Sequence, residues 1–343
     1  MRELPGVRYH RNTTGGFRVK YSELWVRMLT GIVGSGGFIG SYLVRWLAAA
    51  GCDSPRLLVR KTVNQGPAGA EICQGDLQSR ADCGRFVEGL DLIYYLAHEN
   101  TPVNSDLDQP NDVRVNLAPL LNLLEAAQRS GARPHIVYFS SGGAVYATKR
   151  DRIPYRETDP TSPFSSYGIL KLAAEQYLRL AADRGYLTAT VLRIGNAYGT
   201  LLPRHRMQGL IGVALNSVLN GKPVRVFGDP SNVRDYVHLE DICAMAERVS
   251  IPRGAFDVVN VGSGLGYSVA EILQVIEDCH GGPIEFEINR SQGKWLTDWV
   301  VLDIAKARRE WGWQPAIDLT SGIGAMLSAW HSEVPADPVT SLR

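Results

Sequence analysis

The chain contains 343 residues, of which 45% are hydrophobic and 21% are charged, and its formal net charge at pH 7 is +1. A chain of this length and composition can bury a large core, as one large or two modest globular domains. Its balanced charge creates no overall field that would attract a nucleic acid or an anionic membrane, so we expect neither as a partner. No apolar run is long enough to span a bilayer.

The cysteines and the chain ends favour a cytoplasmic protein. The five cysteines are odd in number and lack the C-x-x-C spacing of a metal site, which predicts free thiols in a reducing compartment. The first residues are polar and basic, without an apolar signal core. We therefore expect residues 1–25 to form an N-terminal extension and residues 332–343 to form a frayed tail.

Strand-like and helix-like segments alternate from residue 28 to about residue 195, which predicts a parallel sheet covered by helices on both faces. The predicted strands are the apolar run before Gly34 and residues 56–60, 71–74, 91–96, 135–140 and 189–194. Helical spacing of apolar residues predicts helices over residues 39–48, 115–128, 166–182 and 268–279. Beyond Asn196 proline and glycine become frequent, so we expect a first domain over 26–195 and a second, smaller domain over 196–331.

A glycine pattern follows the first predicted strand. Gly34, Gly37 and Gly40 recur at three-residue intervals between that strand and the first predicted helix. A pyrophosphate needs backbone N–H donors at close range and the positive end of a helix dipole. A Cβ at either of the first two positions would hold a dinucleotide away, and one at the third would push the helix from the strand. A purely structural turn is the alternative, but the strand–turn–helix context favours a dinucleotide site.

A second pattern is Tyr167-Gly-Ile-Leu-Lys171, at the start of the helix that follows the fifth predicted strand. Residues four apart share a helix face, so the phenol and the ammonium group lie together. The cation favours the phenolate and lowers the pKa of the phenol toward the working range of a general base. Such pairs also arise by chance on solvated faces. The position downstream of a glycine turn and a Ser-Ser pair favours a catalytic role for this one.

These motifs resemble those of the extended short-chain dehydrogenases/reductases, in the branch of NAD-dependent nucleotide-sugar epimerases and dehydratases, and most of all the UDP-glucose 4-epimerases. The resemblance covers residues 28–330. The matching segments are residues 34–40, 75–77, 96–97, 140–146, 166–171, 192–199, 233–241, 260–264, 302–303 and 312–315. The resemblance implies a Rossmann-type α/β fold, with a doubly wound parallel sheet and a smaller C-terminal α/β domain that binds the substrate.

The resemblance also implies which residues bind NAD. The implied cofactor-binding residues are Gly34, Gly37, Phe38, Ile39, Gly40, Arg60, Asp76, Leu77, Leu96, Ala97, Asn116, Tyr167 and Lys171. Among them the glycines would cradle the pyrophosphate, and Asp76 and Leu77 would lie at the adenine. Tyr167 would be the catalytic base and Lys171 its ribose-bound partner.

The substrate would be a UDP-sugar. The implied substrate-binding residues are Ser141, Asn196, Arg204, Arg234 and Arg290. A diphosphate suits the guanidinium fork of an arginine, which favours Arg234 as a ligand over an ordinary surface arginine.

Three departures from the family's pattern qualify these expectations. Many relatives place a catalytic hydroxyl where this chain has Gly142 and Ala144, so Ser141, or else Ser140, or a water, would supply that hydrogen bond. Ser141 is also compatible with a simple turn residue. Arg60 stands where NAD-binding proteins usually carry an acid, and an arginine there suits NADP; we keep NAD as the expectation and NADP as the alternative.

The third departure concerns the sugar. Arg204 and Arg206 follow Asn196 and could bind a sugar carboxylate, which would favour UDP-glucuronate and UDP-galacturonate over UDP-glucose and UDP-galactose. Solvated loop arginines are the alternative interpretation. His98, His205 and His238 show no metal-ligand spacing, so we interpret them as polar or structural and expect no metal.

The expected reaction is 4-epimerisation of the UDP-sugar through a transient oxidation at C-4, with a 4-keto intermediate that turns and is reduced on its other face. An NADPH-dependent 4-ketoreductase of nucleotide deoxysugars is the main alternative, and a non-catalytic nucleotide-sensing protein on the same fold is a third. The family resemblance also predicts a homodimer, formed through the helices predicted over 115–128 and 166–182.

Overall fold

The computed structural model describes residues 9–11, 17–19, 28–52, 54–61, 69–100, 105–201, 209–289 and 297–333. In chain order its strands are β1 (Tyr9–Arg11), β2 (Phe17–Val19), β3 (Thr30–Val33), β4 (Arg56–Val59), β5 (Glu71–Gln74), β6 (Leu92–Tyr95), β7 (His135–Ser141), β8 (Thr188–Ile194), β9 (Asn196–Tyr198), β10 (Val224–Phe227), β11 (Val233–His238), β12 (Phe256–Val261), β13 (Gly266–Ser268), β14 (Phe286–Asn289) and β15 (Trp299–Val300).

The chain also contains helices. They are α1 (Phe38–Ala49), α2 (Arg80–Val87), α3 (Gln109–Asp112), α4 (Ala118–Ser130), α5 (Gly142–Val145), α6 (Ser166–Asp183), α7 (Leu210–Leu219), α8 (Leu239–Arg248), α9 (Val269–His280), α10 (Ala305–Trp311) and α11 (Leu319–Glu333). A π-helical turn, Val113–Leu117, joins α3 to α4. Within the ranges that the structure describes, no helix is both long and apolar enough to cross a bilayer.

The chain forms two compact units. The first comprises residues 1–140, 165–192 and 245–258, and the second comprises residues 141–164, 193–244 and 259–343. This division differs from the single boundary expected at residue 196. Residues 245–258 join the first unit because they lead into β12, a strand of its sheet that the sequence pattern did not reveal.

A seven-stranded parallel sheet in the order β12-β8-β7-β6-β3-β4-β5 confirms the predicted fold class. All six predicted strands are present, each within two residues of its expected ends. β3 pairs with β4 on one side and with β6 on the other, so the strand order reverses between β3 and β6. Ligands of open α/β sheets bind outside the carboxyl ends of the strands at such a reversal.

Helices cover this sheet and explain why its central strands are apolar. All four residues of β3 and of β6 are buried, as expected for strands of a parallel sheet enclosed on both faces. Leu120 and Leu123 of α4 and Leu178 of α6 lie in the same core. The first predicted helix and the helices predicted over 115–128 and 166–182 correspond to α1, α4 and α6.

The second unit has its own core and smaller sheets. β11 is flanked by β13 and β15 and also pairs with β9, while β10 and β14 form a separate parallel pair. Its core includes Ile211 of α7, Ile276 of α9 and Ile323 of α11. The predicted helix over 268–279 corresponds to α9, and Ser268 caps it together with Glu271 in a capping box.

The structure also describes part of the predicted N-terminal extension and all five cysteines. Of the predicted extension 1–25, the structure describes only β1 and β2, an antiparallel pair. The predicted tail lies outside the described residues from residue 334 onward. All five cysteines are free thiols, as predicted.

Candidate active site

Two glycines at the connection between β3 and α1 occupy positions that have no room for a side chain. Gly34 has a φ of +89°, and a Cβ at this position would lie 2.7 Å from the amide nitrogen of Ala97. A Cβ at Gly40 would lie 2.1 Å from the carbonyl oxygen of Gly34. Glycine is therefore required at both positions, which brings the turn, the start of α1 and the residues after β6 into close contact.

The N-terminus of α1 can receive an anion. Gly37 is its N-cap residue, no side chain in the described part of the chain caps the helix, and the first turn contains no acidic residue. Phe38 and Ile39 are half-buried in this turn, and Gly40 is buried behind them. The uncapped N–H groups and the positive end of the helix dipole suit a phosphate. The residues present therefore fit the pyrophosphate of a dinucleotide.

The residues expected around the adenine follow β4 and β5. Arg60 lies just after β4 and forms an exposed ion pair with Glu99, which comes from the segment after β6. The Asp76 carboxylate accepts a hydrogen bond from the amide of Gln78 at 2.9 Å. The side chain of Leu77 is buried in the core of the first unit, so only its backbone can face a ligand.

Beyond β6, Leu96 donates its amide to the carbonyl of Val33 at 2.9 Å and so extends the pairing with β3. Asn116 is buried in the π-helical turn. It accepts a hydrogen bond from the amide of Glu99 at 2.7 Å and donates one to the Asp112 carboxylate at 2.6 Å. The oxygen and the nitrogen of the Asn116 amide are therefore both hydrogen-bonded within the protein. These two bonds fix the segment that follows β6.

Three side chains hold the N-terminus of α6, where Tyr167 lies. Ser165 accepts a hydrogen bond from the amide of Gly168 at 3.2 Å. The amide of Tyr167 donates to the Ser105 hydroxyl at 3.1 Å, and the amide of Ser166 donates to the Asp106 carboxylate at 2.7 Å. These caps satisfy donors that a helix start otherwise leaves open, and they fix the backbone of Tyr167.

Lys171 lies one turn further along α6 and is buried. Its Nζ donates to the carbonyl of Phe139 at 2.8 Å and lies 5.6 Å from the centre of the Tyr167 ring. Burial lowers the pKa of Lys171 from 10.5 to about 7, although the nearby Glu175 carboxylate opposes this shift. Glu175 is itself buried and accepts a hydrogen bond from the Ser140 hydroxyl at 2.5 Å. The predicted pairing of phenol and ammonium group is therefore present.

His98 also contacts this pair, although its sequence pattern predicted only a polar or structural role. Its ring meets the Tyr167 ring edge-on, with 4.7 Å between the ring centres and an angle of 81°. Burial, and secondarily the charge of Lys171, hold the pKa of His98 well below 6.5, so the imidazole is neutral at physiological pH. Its position directly after Ala97 is the one sequence signal that could have identified it.

The second unit contains the other predicted residues that the structure describes. Ser141 is the N-cap residue of α5, but its side chain makes no capping hydrogen bond. Asn196, at the start of β9, is hydrogen-bonded through its side chain to Tyr236 of β11. Arg234 is half-buried in β11 and donates from Nη1 to the carbonyl of Val233 at 2.8 Å.

Two predicted substrate ligands, Arg204 and Arg290, lie outside the described residues, as does His205. Across the residues that the structure does describe, no three His, Cys, Asp or Glu side chains form a group that could hold a metal ion.

A phosphate-accepting glycine turn at the reversal of a parallel sheet, with a Tyr–Lys pair on a helix of the same unit, defines a dinucleotide-dependent α/β enzyme. The comparison with known proteins agrees. The chain belongs to the NAD-dependent epimerase/dehydratase family, whose sequence profile matches residues 31–262.

Individual relatives cover between about two thirds and nine tenths of the chain. A UDP-glucose 4-epimerase of Mycolicibacterium smegmatis is 31% identical over 325 residues, which cover 89% of this chain and 99% of the relative. The structure of a Thermus thermophilus UDP-glucose 4-epimerase in complex with NAD superposes with a TM-score of 0.80 at 28% identity, over 90% of this chain and all of the other. A dTDP-4-dehydro-6-deoxyglucose reductase of Escherichia coli is 30% identical over 66% of this chain and 69% of its own length.

Proposed function

We propose that this enzyme interconverts the 4-epimers of a UDP-sugar with NAD as its cofactor. The observation that carries the proposal is the Tyr167–Lys171 pair, held at the capped start of α6 in the unit that contains the glycine turn. The near full-length similarity to a UDP-glucose 4-epimerase supports the choice of reaction.

NAD would be held by the first unit. The uncapped start of α1 would bind its pyrophosphate, and Gly34 allows the cofactor to approach the backbone closely. Asp76 would lie at the adenine, with Ala97 along the cofactor. When bound, NAD would supply the reversible two-electron oxidation of the sugar at C-4.

Tyr167 would accept the proton of the sugar's 4-hydroxyl and return it once the 4-keto sugar has rotated to present its other face. Lys171 would stabilise the phenolate by its charge and bind the ribose of the cofactor. Lys171 donates a hydrogen bond to the carbonyl of Phe139, and its Nζ lies 5.6 Å from the centre of the Tyr167 ring. Proximity would supply much of the acceleration, since the sugar is tethered through its nucleotide.

The second unit would bind the substrate. Arg234 and Asn196 would hold the diphosphate, together with Arg290, while Ser141 would donate a hydrogen bond to the reacting oxygen. The Ser141 hydroxyl makes no capping bond in α5, which leaves it available for this role. Tight binding of the nucleotide and weak binding of the hexose would allow the 4-keto sugar to rotate in the site.

The sugar is UDP-glucose or UDP-galactose in this proposal, and UDP-glucuronate with UDP-galacturonate is the variant that Arg204 would favour. The test is to incubate the purified chain with each UDP-sugar and no added reductant, and to separate the products by chromatography. Formation of the 4-epimer of one substrate supports the proposal and identifies the sugar. No epimer from any UDP-hexose contradicts it.

An NADPH-dependent 4-ketoreductase is the second candidate, and the similarity to the Escherichia coli reductase together with Arg60 favours it. It would use the same Tyr167 and Lys171. Loss of NADPH absorbance in step with reduction of a 4-keto-6-deoxy nucleotide sugar would support this candidate. A 4-epimerase would consume no reductant.

We further propose that the enzyme is a homodimer that pairs through α4 and α6. Tyr177 and Leu180 of α6 are 42% and 45% exposed, and they line a groove with Leu121 and Leu124 of α4. An isologous contact of these helices would cover that apolar surface. Light scattering should give twice the chain mass at micromolar concentration, and Leu180→Glu should give the monomer. A monomeric wild-type protein would contradict the proposal.

A further inference from the structure

Among the described residues of the first unit, one buried polar side-chain atom makes no hydrogen bond. The Nε2 atom of His98 is shielded from solvent and makes no hydrogen bond within the described part of the chain. Buried polar atoms in native proteins are nearly always hydrogen-bonded, because an unpaired one forfeits its interaction with water and gains nothing in return. An exception in a ligand-binding region therefore points to a group that binds there.

The location of His98 identifies that region. His98 follows Ala97, which lies so close to Gly34 that a Cβ there would approach its amide nitrogen to 2.7 Å. Both residues follow the carboxyl ends of β6 and β3, where the strand order reverses. On its other side the His98 ring contacts Tyr167. The imidazole therefore lies between the glycine turn and the catalytic pair.

The surrounding hydrogen bonds hold His98 in this place. The fully buried Asp112 carboxylate accepts hydrogen bonds from Asn100 at 2.5 Å, from Asn116 at 2.6 Å and from Ser166 at 2.6 Å. This network ties the segment after His98 to the residue that precedes Tyr167. Rotation of the segment toward solvent would break it, so Nε2 cannot readily find water.

We propose that His98 is a cofactor-binding residue whose Nε2 hydrogen-bonds the dinucleotide at the end that faces Tyr167. This inference rests on the NAD cofactor of the proposed function. A neutral imidazole has one donor and one acceptor nitrogen, so it can pair with a ribose hydroxyl or a carboxamide. Because the phenol packs against the same ring, the bond would also align the reactive end of the cofactor with the base.

The test compares two ligands on the full chain freed of bound nucleotide. NADH carries the nicotinamide and its ribose, whereas ADP lacks both. His98→Phe keeps an aromatic edge against Tyr167 and removes both ring nitrogens. It should weaken NADH binding roughly three- to tenfold by isothermal titration, the effect of losing one buried hydrogen bond, and leave ADP binding unchanged. His98→Gln, which restores an amide in place of the imidazole, should recover most of the affinity.

A matched control exists in the second unit. His238 meets Tyr198 edge-on at 5.2 Å and 80°, but its Nδ1 accepts a hydrogen bond from the amide of Glu240 at 3.2 Å. His238→Phe should lower the melting temperature without changing the affinity for either ligand.

Three results would overturn the inference. Equal NADH affinity in the wild type and His98→Phe would show that Nε2 binds no part of the cofactor. Equal losses for NADH and ADP would show general damage to the site. A wild-type chain that binds no NADH would remove the proposed cofactor together with the role of His98, whereas the first two results leave the cofactor in place.

Discussion

Tyr167 in the first unit and Tyr198 in the second are surrounded by the same types of residue. The two clusters differ in how their polar groups are hydrogen-bonded. Each tyrosine meets a histidine edge-on, and each region contains a buried aspartate. Around Tyr198 the polar groups are paired within the unit: its hydroxyl donates to the carbonyl of Asp318 at 3.2 Å, and His238 accepts from Glu240. Around Tyr167 the pKa of Lys171 is lowered, and Nε2 of His98 makes no hydrogen bond to any residue that the structure describes.

A structural cluster and a functional cluster can be told apart by whether their buried polar groups have internal partners. Residue types do not distinguish them, since both regions combine Tyr, His and Asp. Polar groups that hydrogen-bond one another stabilise a fold, whereas a buried polar group without an internal partner marks a site built for a ligand or a reaction.

The largest expected effect separates the two tyrosines. Tyr167→Phe should lower kcat roughly 10²- to 10⁴-fold, the usual contribution of a positioned base, and leave nucleotide binding largely unchanged. Tyr198→Phe loses only the hydrogen bond to Asp318, at a cost of about 1 kcal/mol in unfolding free energy, and should retain its activity. Steady-state kinetics and urea denaturation check the pair. Retained activity in Tyr167→Phe would remove this residue from the role of base.

The next effect separates two buried aspartates. Asp241 accepts hydrogen bonds from the amides of Ala316 at 2.7 Å and Ile317 at 3.2 Å. These donors are backbone N–H groups and cannot reorient. Asp241→Asn would set an NH₂ group against a backbone donor, so it should cost about 1–3 kcal/mol of unfolding free energy.

Asp112 accepts from side chains, and its Ser166 partner can accept instead of donate. Asp112→Asn should therefore cost less than about 1 kcal/mol. Urea unfolding of both variants tests the contrast between side-chain and backbone donors, and equal losses would argue against it.

The lowered pKa of Lys171 predicts a pH-dependent stability. In the unfolded chain the lysine regains its ordinary pKa of 10.5, so between pH 7 and that value the unfolded state binds more protons than the folded one. The free energy of unfolding of the ligand-free protein should rise with pH across this window, by up to about 1.4 kcal/mol per pH unit. Lys171→Met should flatten this rise in denaturation curves at successive pH values. Identical slopes would contradict the buried, destabilised ammonium group.

The smallest effect concerns Arg60 at the edge of the cofactor region. The exposed pair with Glu99 is weak, and the carboxylate would repel the additional phosphate of NADP. Glu99→Gln should raise the affinity for NADP roughly two- to fivefold relative to NAD, and Arg60→Gln should reverse the gain. Titration of both cofactors checks this, and an unchanged ratio would place Arg60 away from the 2′-phosphate.

Much of this architecture follows from local pattern. Alternating strand-like and helix-like segments predicted six of the seven sheet strands, and the central ones are recognisable because a strand buried on both faces must be apolar throughout. β12 was missed because it lies among glycine- and proline-rich segments. Three strands that belong to other sheets separate it in sequence from β8, its neighbour in this sheet. The helix over 268–279 and the Tyr–Lys spacing on α6 were equally predictable, since both depend on residues three or four apart.

Spacing within a single strand, turn or helix was enough to predict the fold class, the glycine turn and the Tyr167–Lys171 pair. Three features appear only in the folded chain: His98 packs against Tyr167, Asp112 connects Asn100 to Ser166, and Lys171 is buried. These features join residues about 10 to 70 positions apart, and burial shifts a pKa or isolates a polar atom only once such distant segments have packed together.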